Sequence, residues 1–247
     1  MLNYVEYGKE NKYDDDIFFQ KYSQMSRSQQ GLAGAGEWET LRKLLPDFKD
    51  KRVLDLGCGY GWHCIYAMEH GASSVVGVDI SHKMLEVAKE KTHFPQVEYK
   101  CCAIEDVEFP EESFDVILSS LAFHYVADYE ILVKKIYRIL KSGGNLVFTA
   151  YGTQDWYYNE KGEILHFPVD NYYYEGKRTA VFLGEKVTKF HRTLTTYLNT
   201  LLSNGFIINH IVEPQPPEYM TDIPGMQDEM RRPMMLIVSA NKNCYTT

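Results

Sequence analysis

The chain has 247 residues, 45% of them hydrophobic and 24% charged, which fits one domain with a normal buried core. The net charge of -8 disfavours a large nucleic-acid interface, because phosphate backbones are bound by clustered lysine and arginine side chains. No apolar run is long enough to predict a membrane span, and the first residues lack the basic-then-apolar order of a signal peptide.

Residues 1–50 are polar and aromatic, with an acidic run at residues 14–16. We expect this segment to form a cap over a binding crevice. The residues that favour this interpretation are aromatic or cationic: Tyr4, Tyr7, Tyr13, Phe18, Phe19, Tyr22 and Arg27.

Residues 51–150 alternate short apolar runs with helical patterns. Three helices are predicted. The first covers residues 61–70, the second begins after Ser81, which can cap it, and the third runs from Ile131 to Leu140 and stops at Gly143 and Gly144. Strands that alternate with helices at these spacings predict a doubly wound α/β fold, a parallel sheet with helices on both faces. The five predicted strands are 52–56, 75–79, 96–102, 114–118 and 145–150.

The remaining residues add an insertion and two strands. Residues 151–190 contain ten aromatic side chains and are predicted to form a lid-like insertion. A helix at 193–204 and strands at 206–213 and 234–240 follow, which makes seven strands. We therefore expect a single domain over 1–247, with a cap at 1–50, a cofactor-binding core at 51–150, the insertion at 151–190 and C-terminal elements at 191–247.

The most informative motif is the glycine loop VLDLGCGYG, residues 53–61, in which an apolar strand runs into a turn and then a helix. Glycine lets the backbone turn sharply and approach a ligand. A dinucleotide loop reads G-x-G-x-x-G, but here the third glycine comes one residue early and Trp62 takes its place. This departure disfavours NAD, although a turn without any ligand remains an alternative.

Asp79 lies at the end of the second strand, and an acid at about this distance from a glycine loop can accept hydrogen bonds from a ribose. The spacing is compatible with any adenosine-bearing cofactor. The alternative is an acid that only favours the start of the next helix through the helix dipole.

Four segments in order, VLDLGCGYG, VVGVDIS, AIEDVEFPEESFDVILSSLAFHYV and KSGGNLVFTA, resemble the motifs of class I S-adenosylmethionine-dependent methyltransferases. They are most similar to the small-molecule branch that includes quinone-biosynthesis enzymes. The resemblance implies a Rossmann-like seven-stranded sheet with its last strand antiparallel, and S-adenosylmethionine as the methyl donor.

The resemblance also implies residue roles. Gly57, Gly59 and Gly61 would line the cofactor loop, with Asp55 beneath it near the methionine amine and Asp79 on the ribose hydroxyls.

Three further regions would contact the cofactor. Ile80 and Met84 would flank the adenine, and Ile104 and Glu105 would lie at its edge. The chain departs from the family here, because Ala103 stands where relatives often have aspartate. Residues 118–121, which include Ser119, would form a floor beneath the sulfonium.

The acceptor side is less determined. His124 is a candidate base, since its usual pKa suits proton transfer near neutral pH, but it is also compatible with a role in ordering its loop. Tyr22 and Arg27, with His191 and Arg192, are the other candidate acceptor contacts, and the last two would suit an anionic acceptor. The aromatic insertion would suit an apolar or cationic acceptor, or else form a satellite core or a dimer contact.

Two other functional classes compete with a methyltransferase: an NAD-linked oxidoreductase, and a non-catalytic module that binds S-adenosylmethionine. Nucleic-acid methylation is disfavoured because Ser119-Ser120-Leu121-Ala122 stands where such enzymes resemble Asn/Asp-Pro-Pro-aromatic. The five cysteines have no metal-ligand spacing and an odd count, so we expect no metal site and a reducing, cytoplasmic setting.

Overall fold

The three-dimensional description rests on a computed structural model. It describes residues 9, 11–151, 157–158, 161, 164–166, 171–223, 226–231 and 233–244. Tyr4 and Tyr7, named above, lie outside the described residues, as do Trp156 and Phe167, two of the ten aromatic residues of the predicted insertion.

A seven-stranded sheet forms the centre of the molecule, as predicted. Its strand order is β10-β11-β5-β4-β1-β2-β3, and the neighbours are parallel except that β11 runs antiparallel to both β10 and β5. The strands are β1 (Arg52–Leu56), β2 (Ser74–Asp79), β3 (Val97–Cys101), β4 (Phe114–Ser120), β5 (Leu140–Tyr151), β10 (Phe206–Val212) and β11 (Met235–Lys242).

Two small two-stranded sheets lie in the predicted insertion. They pair β6 (Tyr157–Tyr158) with β7 (Ile164–His166), and β8 (Gly176–Phe182) with β9 (Glu185–His191). The β8–β9 hairpin follows the aromatic stretch, and β9 contacts the short turn at Phe123–Tyr125 that follows β4. The hairpin therefore reaches the carboxyl edge of the sheet.

Helices cover both faces of the sheet. In β1, Val53 contributes to one apolar core and Leu54 to the other, and Val116 and Ile117 of β4 divide in the same way. This alternation follows from the two-residue period of a strand, and burial on both sides is typical of a doubly wound sheet. The helices are α1 (Asp16–Ser23), α2 (Ser26–Gln30), α3 (Trp38–Leu41), α4 (Trp62–Glu69), α5 (His82–Lys91), α6 (Tyr129–Ile139), α7 (Leu194–Ser203) and α8 (Met226–Glu229).

One predicted boundary was wrong. The sequence places Leu140 in a helix that stops at the glycines, but α6 ends at Ile139 and Leu140 already pairs with Phe114 in the sheet. Leu140 is fully buried there, and that burial outweighs the helical pattern. The next pair in register is Val116 with Asn145, so residues 141–144 bulge out of the strand.

Among the described residues, no helix combines the length and apolar character needed to cross a bilayer.

Candidate cofactor and acceptor site

A cavity of about 460 Å³ lies at the carboxyl ends of β1, β2 and β4. This is the edge where open α/β sheets bind their ligands, and the volume is that of a small-molecule site. The loops after these strands form its floor. Residues 13, 22 and 25–27 of the N-terminal segment also line it, together with Phe182 of β8 and Lys189 of β9.

The glycine loop has left-handed backbone at all three glycines, with φ values of 77°, 52° and 75°. A Cβ at Gly57 would lie 2.4 Å from the Cβ of Ala122, and one at Gly61 would lie 2.2 Å from the Tyr99 hydroxyl. A Cβ at Gly59 would meet nothing within 4 Å. Gly57 and Gly61 are therefore required by packing, whereas Gly59 faces the cavity that it lines.

Asp79 lies at the end of β2 and lines the same cavity. The main-chain N–H of Gly59 donates to its Oδ2 at 2.8 Å, and that of Ser81 donates to its Oδ1 at 2.9 Å. Burial raises the pKa of Asp79 to about 6, although these two N–H donors oppose the rise. A carboxylate is thus held between the glycine loop and the start of α5.

Hydrogen bonds connect the N-terminal segment to the turn between β2 and α5. Asp14 accepts hydrogen bonds from the Ser81 hydroxyl at 2.6 Å and from the Lys83 N–H at 3.1 Å. Ser81 Oγ in turn caps α5 by accepting from the N–H of Met84 at 3.1 Å. The acidic run noted in the sequence therefore helps to join the N-terminal segment to the wall that carries Asp79.

Asp55 is 1% exposed and lies behind the glycine loop rather than on the cavity wall. The Cys64 thiol donates to its Oδ2 at 3.5 Å, and among the described residues no group donates to its buried Oδ1. Burial raises the pKa of Asp55 to about 7. A second buried carboxyl group therefore lies next to the loop, in a place where a cationic ligand would stabilise its charge.

The remaining predicted cofactor residues divide into two sets. Ile80, Met84, Ile104 and Glu105 line the cavity, and Ala103 lies among them. Gly61 and Ser119 do not line it. Ser119 is buried, and its hydroxyl donates to the carbonyl of Leu56 at 2.7 Å, which ties β4 to β1 below the floor.

The predicted acceptor residues also divide. Tyr22, Arg27 and His124 line the cavity, and His124 is 2% exposed. Burial, and then the charges of Lys189 and Arg192, lower the pKa of His124 well below its usual value. The imidazole is therefore neutral near neutral pH and can accept a proton.

His191 and Arg192 are not on the cavity wall. A ring nitrogen of His191 lies 2.8 Å from the carbonyl of Tyr172. Arg192 donates to the carbonyls of Phe123, Val126 and Ala127, and so braces the loop that carries His124.

The sequence interpretation missed Tyr125 and Lys189 as cavity residues, and it named Tyr13 only as part of the cap. The hydroxyls of Tyr13 and Tyr125 are 3.2 Å apart, which brings the N-terminal segment against the turn after β4. Lys189 is only 5% exposed.

Replacing Gly59 with alanine is expected to weaken S-adenosylmethionine binding at least tenfold, because the new methyl group would enter the cavity. The left-handed backbone costs alanine roughly 1–2 kcal/mol, so the protein should still fold. Calorimetric affinity and thermal unfolding measure the two effects separately. Gly61→Ala is the comparison, since its methyl group would instead clash with Tyr99 and lower the melting temperature more.

Comparison with known proteins adds two kinds of similarity. A family model described as a methyltransferase domain matches residues 54–148. A structure from Listeria monocytogenes, assigned as an S-adenosylmethionine-dependent methyltransferase, is 54% identical with a TM-score of 0.81, covering 86% of this chain and 99% of that one.

A second structure, an S-adenosylmethionine-dependent methyltransferase from Mesorhizobium loti, is 39% identical with a TM-score of 0.78, covering 86% of this chain and 100% of that one. An uncharacterised protein from Haemophilus influenzae is 33% identical over 254 residues, which are 93% of this chain and 96% of the relative. The similarity to these three proteins thus extends well beyond the 54–148 segment.

Proposed function

The chain belongs to the class I S-adenosylmethionine-dependent methyltransferases, and on that premise we propose that it methylates a small-molecule acceptor in the cavity described above, releasing S-adenosylhomocysteine. The observation that carries this proposal is the division of the cavity wall. The glycine loop and Asp79 lie at the β1–β2 end of the wall, and His124, Tyr125 and Lys189 lie at the β4 end.

The residues of the first end fit the cofactor. S-adenosylmethionine carries an ammonium, a sulfonium and a ribose diol but no phosphate. Asp79 on the cavity wall can accept hydrogen bonds from the ribose, and the buried carboxyl group of Asp55 lies behind the glycine loop, off the wall. The wall at Ala103 contributes no side-chain carboxylate to the adenine, so main-chain groups near Ile104 and Glu105 are the proposed contacts.

Methyl transfer is a displacement at carbon in which acceptor and sulfonium must be collinear. The chain contributes mainly by holding the two partners in line and excluding water, effects worth on the order of 7–11 kcal/mol in intramolecular reactions. The half-buried side chains of Tyr13, Tyr22 and Phe182 on the cavity wall serve this purpose in the proposal. Neutral His124 is the proposed acceptor of a proton from the methylated group.

The relationship to a particular branch is part of the proposal. The ubiquinone biosynthesis O-methyltransferase of Bradyrhizobium diazoefficiens is 35% identical over 102 residues, 40% of this chain and 39% of the relative. This supports a quinone-biosynthesis-like branch, over a match that covers less than half of either chain.

The cellular setting and the domain organisation are also part of the proposal. Five free cysteines support a reducing, cytoplasmic setting. One domain is supported by the cavity, because residues of the N-terminal segment and of β8–β9 line it together.

The proposal is tested by calorimetry with S-adenosylmethionine and by mass-spectrometric detection of S-adenosylhomocysteine formed with a panel of phenols, amines and thiols. We expect saturable cofactor binding and turnover with at least one acceptor. A chain that ignores the cofactor at millimolar concentration would contradict the proposal. Binding without turnover on any member of the panel would favour a non-catalytic binding module.

Replacing His124 with alanine is expected to lower kcat about 100-fold, the lower end for general acid–base catalysis, because its depressed pKa makes it a weak base. The affinity for S-adenosylmethionine should change less than about twofold, within ordinary variation between surface variants. His93→Ala is the control, since His93 is exposed and away from the cavity. Equal losses in kcat and cofactor affinity would argue against a base.

A further inference from the structure

The main cavity extends along the sheet edge beyond the strands that carry the proposed cofactor residues. Its wall includes residues that follow β3, β2, β1 and β4, and also Met234 and Met235 where β11 begins. Because β11 runs antiparallel to β5, Met235 pairs with Tyr151, the last residue of β5. Adjacent strands are about 4.8 Å apart, and only β5 separates β4 from β11. The cavity therefore continues for about 10 Å past β4.

Methionine side chains line this continuation. They come from one C-terminal segment, as Met226 in α8 and Met234 and Met235 at the start of β11, and we call them the methionine wall. Met220, from the same segment, is 4% exposed and fills the protein interior, whereas the three wall methionines are half-buried. Methionine is unbranched and polarisable, so it adapts to apolar ligands of varied shape. The methionine wall thus presents apolar surface that the protein itself leaves partly uncovered.

The charged side chains of the described wall come from other segments. They are Lys9, Arg27, Asp79, Glu105 and Lys189, whereas residues 213–244 contribute only methionines to the wall as described. Lys9 forms an ion pair with Asp106, which follows β3, and Arg27 forms one with Glu37 beside the glycine loop. What lies on the methionine wall is therefore selected by apolar contact and not by charge.

We infer that the acceptor carries an uncharged, flexible apolar chain, about 10 Å of which lies along the methionine wall while its reacting group lies at the turn after β4. This inference rests on the proposed function and names its substrate class. The cofactor residues proposed above follow β1, β2 and β3, so the cofactor leaves the β4–β11 part of the cavity to the acceptor. Each methylene group of the chain that covers the half-buried methionines removes apolar surface from water and favours binding.

The test measures the affinity of 1-butanol, 1-hexanol, 1-octanol and 1-decanol for the full chain by calorimetry, with S-adenosylhomocysteine already bound. We expect saturable binding of one alcohol per chain that tightens about fourfold with each added methylene group. The increase should stop once the alkyl chain is longer than about 10 Å, the distance from β4 to β11. The alcohols should not displace S-adenosylhomocysteine, because the two ligands occupy different parts of the cavity.

A matched pair of variants locates the chain. Met226→Gln should weaken 1-octanol binding about fourfold, the equivalent of one buried methylene group, and Met226→Leu should keep most of the affinity. Met230→Gln is the control, since Met230 is 51% exposed and does not line the cavity, and it should change the affinity less than about twofold. Equal effects of Met226→Gln and Met230→Gln would overturn the inference.

The unaltered protein also decides the question without any variant. Affinity that does not rise with chain length, binding that does not saturate, or displacement of S-adenosylhomocysteine by the longer alcohols would each overturn the inference. Calorimetry with S-adenosylhomocysteine alone separates the two levels. If the unaltered protein does not bind it, the proposed function is contradicted, whereas intact binding without a dependence on chain length contradicts this inference alone.

Discussion

Replacing Arg27 with methionine is expected to lower the free energy of unfolding by about 3–5 kcal/mol, the usual cost of breaking a buried ion pair. One guanidinium nitrogen of Arg27 donates to both carboxylate oxygens of Glu37, at 2.7 and 2.8 Å. Glu37 is only 3% exposed, so the substitution would leave its charge buried without its partner. Chemical denaturation at constant pH measures the change.

Arg42→Met is the matched control. Arg42 and Glu39 form an ion pair three residues apart on the surface, with side chains 49% and 40% exposed. Such exposed pairs contribute about 0–1 kcal/mol. If Arg27→Met lowers the free energy of unfolding no more than Arg42→Met does, the Arg27–Glu37 pair does not behave as a buried ion pair. The double variant Arg27→Met with Glu37→Gln should recover part of the loss, since the uncompensated charge is then gone.

This ion pair also concerns the site. Arg27 and Glu37 both line a second, smaller cavity that adjoins Gly57 and Gly59, and Arg27 lines the main cavity as well. Loss of the ion pair should therefore weaken the packing of the N-terminal segment against the glycine loop. The sequence placed Arg27 near an acceptor but gave no indication of its partner, because the contact depends on how residues 27 and 37 approach in space.

The sheet could be predicted from the sequence to a large extent because its signals are local. Short apolar runs stopped by glycine or proline located the strands, and glycine positions at 71 and 205 located helix ends. Leu140 was the exception. Its pairing with Phe114 is a contact between distant residues, and helical periodicity alone could not show it.

The cofactor end of the site was predictable for the same reason. Gly57 and Gly59 lie just after β1 and Asp79 is the last residue of β2, so the edge of the sheet on which they fall follows from strand direction. The acceptor end is built from segments far apart in sequence, and the choice between Lys189 and its neighbours depended on the orientation of one hairpin strand. That orientation is set by tertiary packing on the turn at Phe123–Tyr125.

Replacing Asp79 with asparagine is expected to weaken S-adenosylmethionine binding about 100-fold or more. Hydrogen bonds to a charged group contribute about 1.5–3 kcal/mol each, and the proposed contact involves two ribose hydroxyls. The NH2 group of the amide would also face one of the two donors, the N–H groups of Gly59 and Ser81, that now donate to the two carboxylate oxygens. Calorimetry at pH 8 measures the affinity, and unchanged binding would exclude Asp79 from the cofactor site.

The same substitution has a second signature in the protein without cofactor. Burial raises the pKa of Asp79 from 3.8 to about 6, so the folded state holds this proton more tightly than the unfolded state does. The corresponding stability is fully present below about pH 4 and is lost as the pH rises through about 6. Asp79→Asn should therefore flatten the fall in unfolding free energy over this window.

Asp115→Asn is the control with the opposite sign. Burial opposes ionisation of Asp115, but hydrogen bonds from the Arg52 N–H and the Lys141 ammonium outweigh it and lower its pKa. Its contribution is present above the unfolded-state pKa and is lost as the pH falls. Asp115 lies at the other end of β4, so its substitution should alter only the acid limb and leave cofactor affinity unchanged. Ionisation of Asp79 at the cavity thus lowers the stability of the protein, whereas ionisation of Asp115 away from the cavity raises it. We expect this contrast if Asp79 is retained for ligand binding and not for stability.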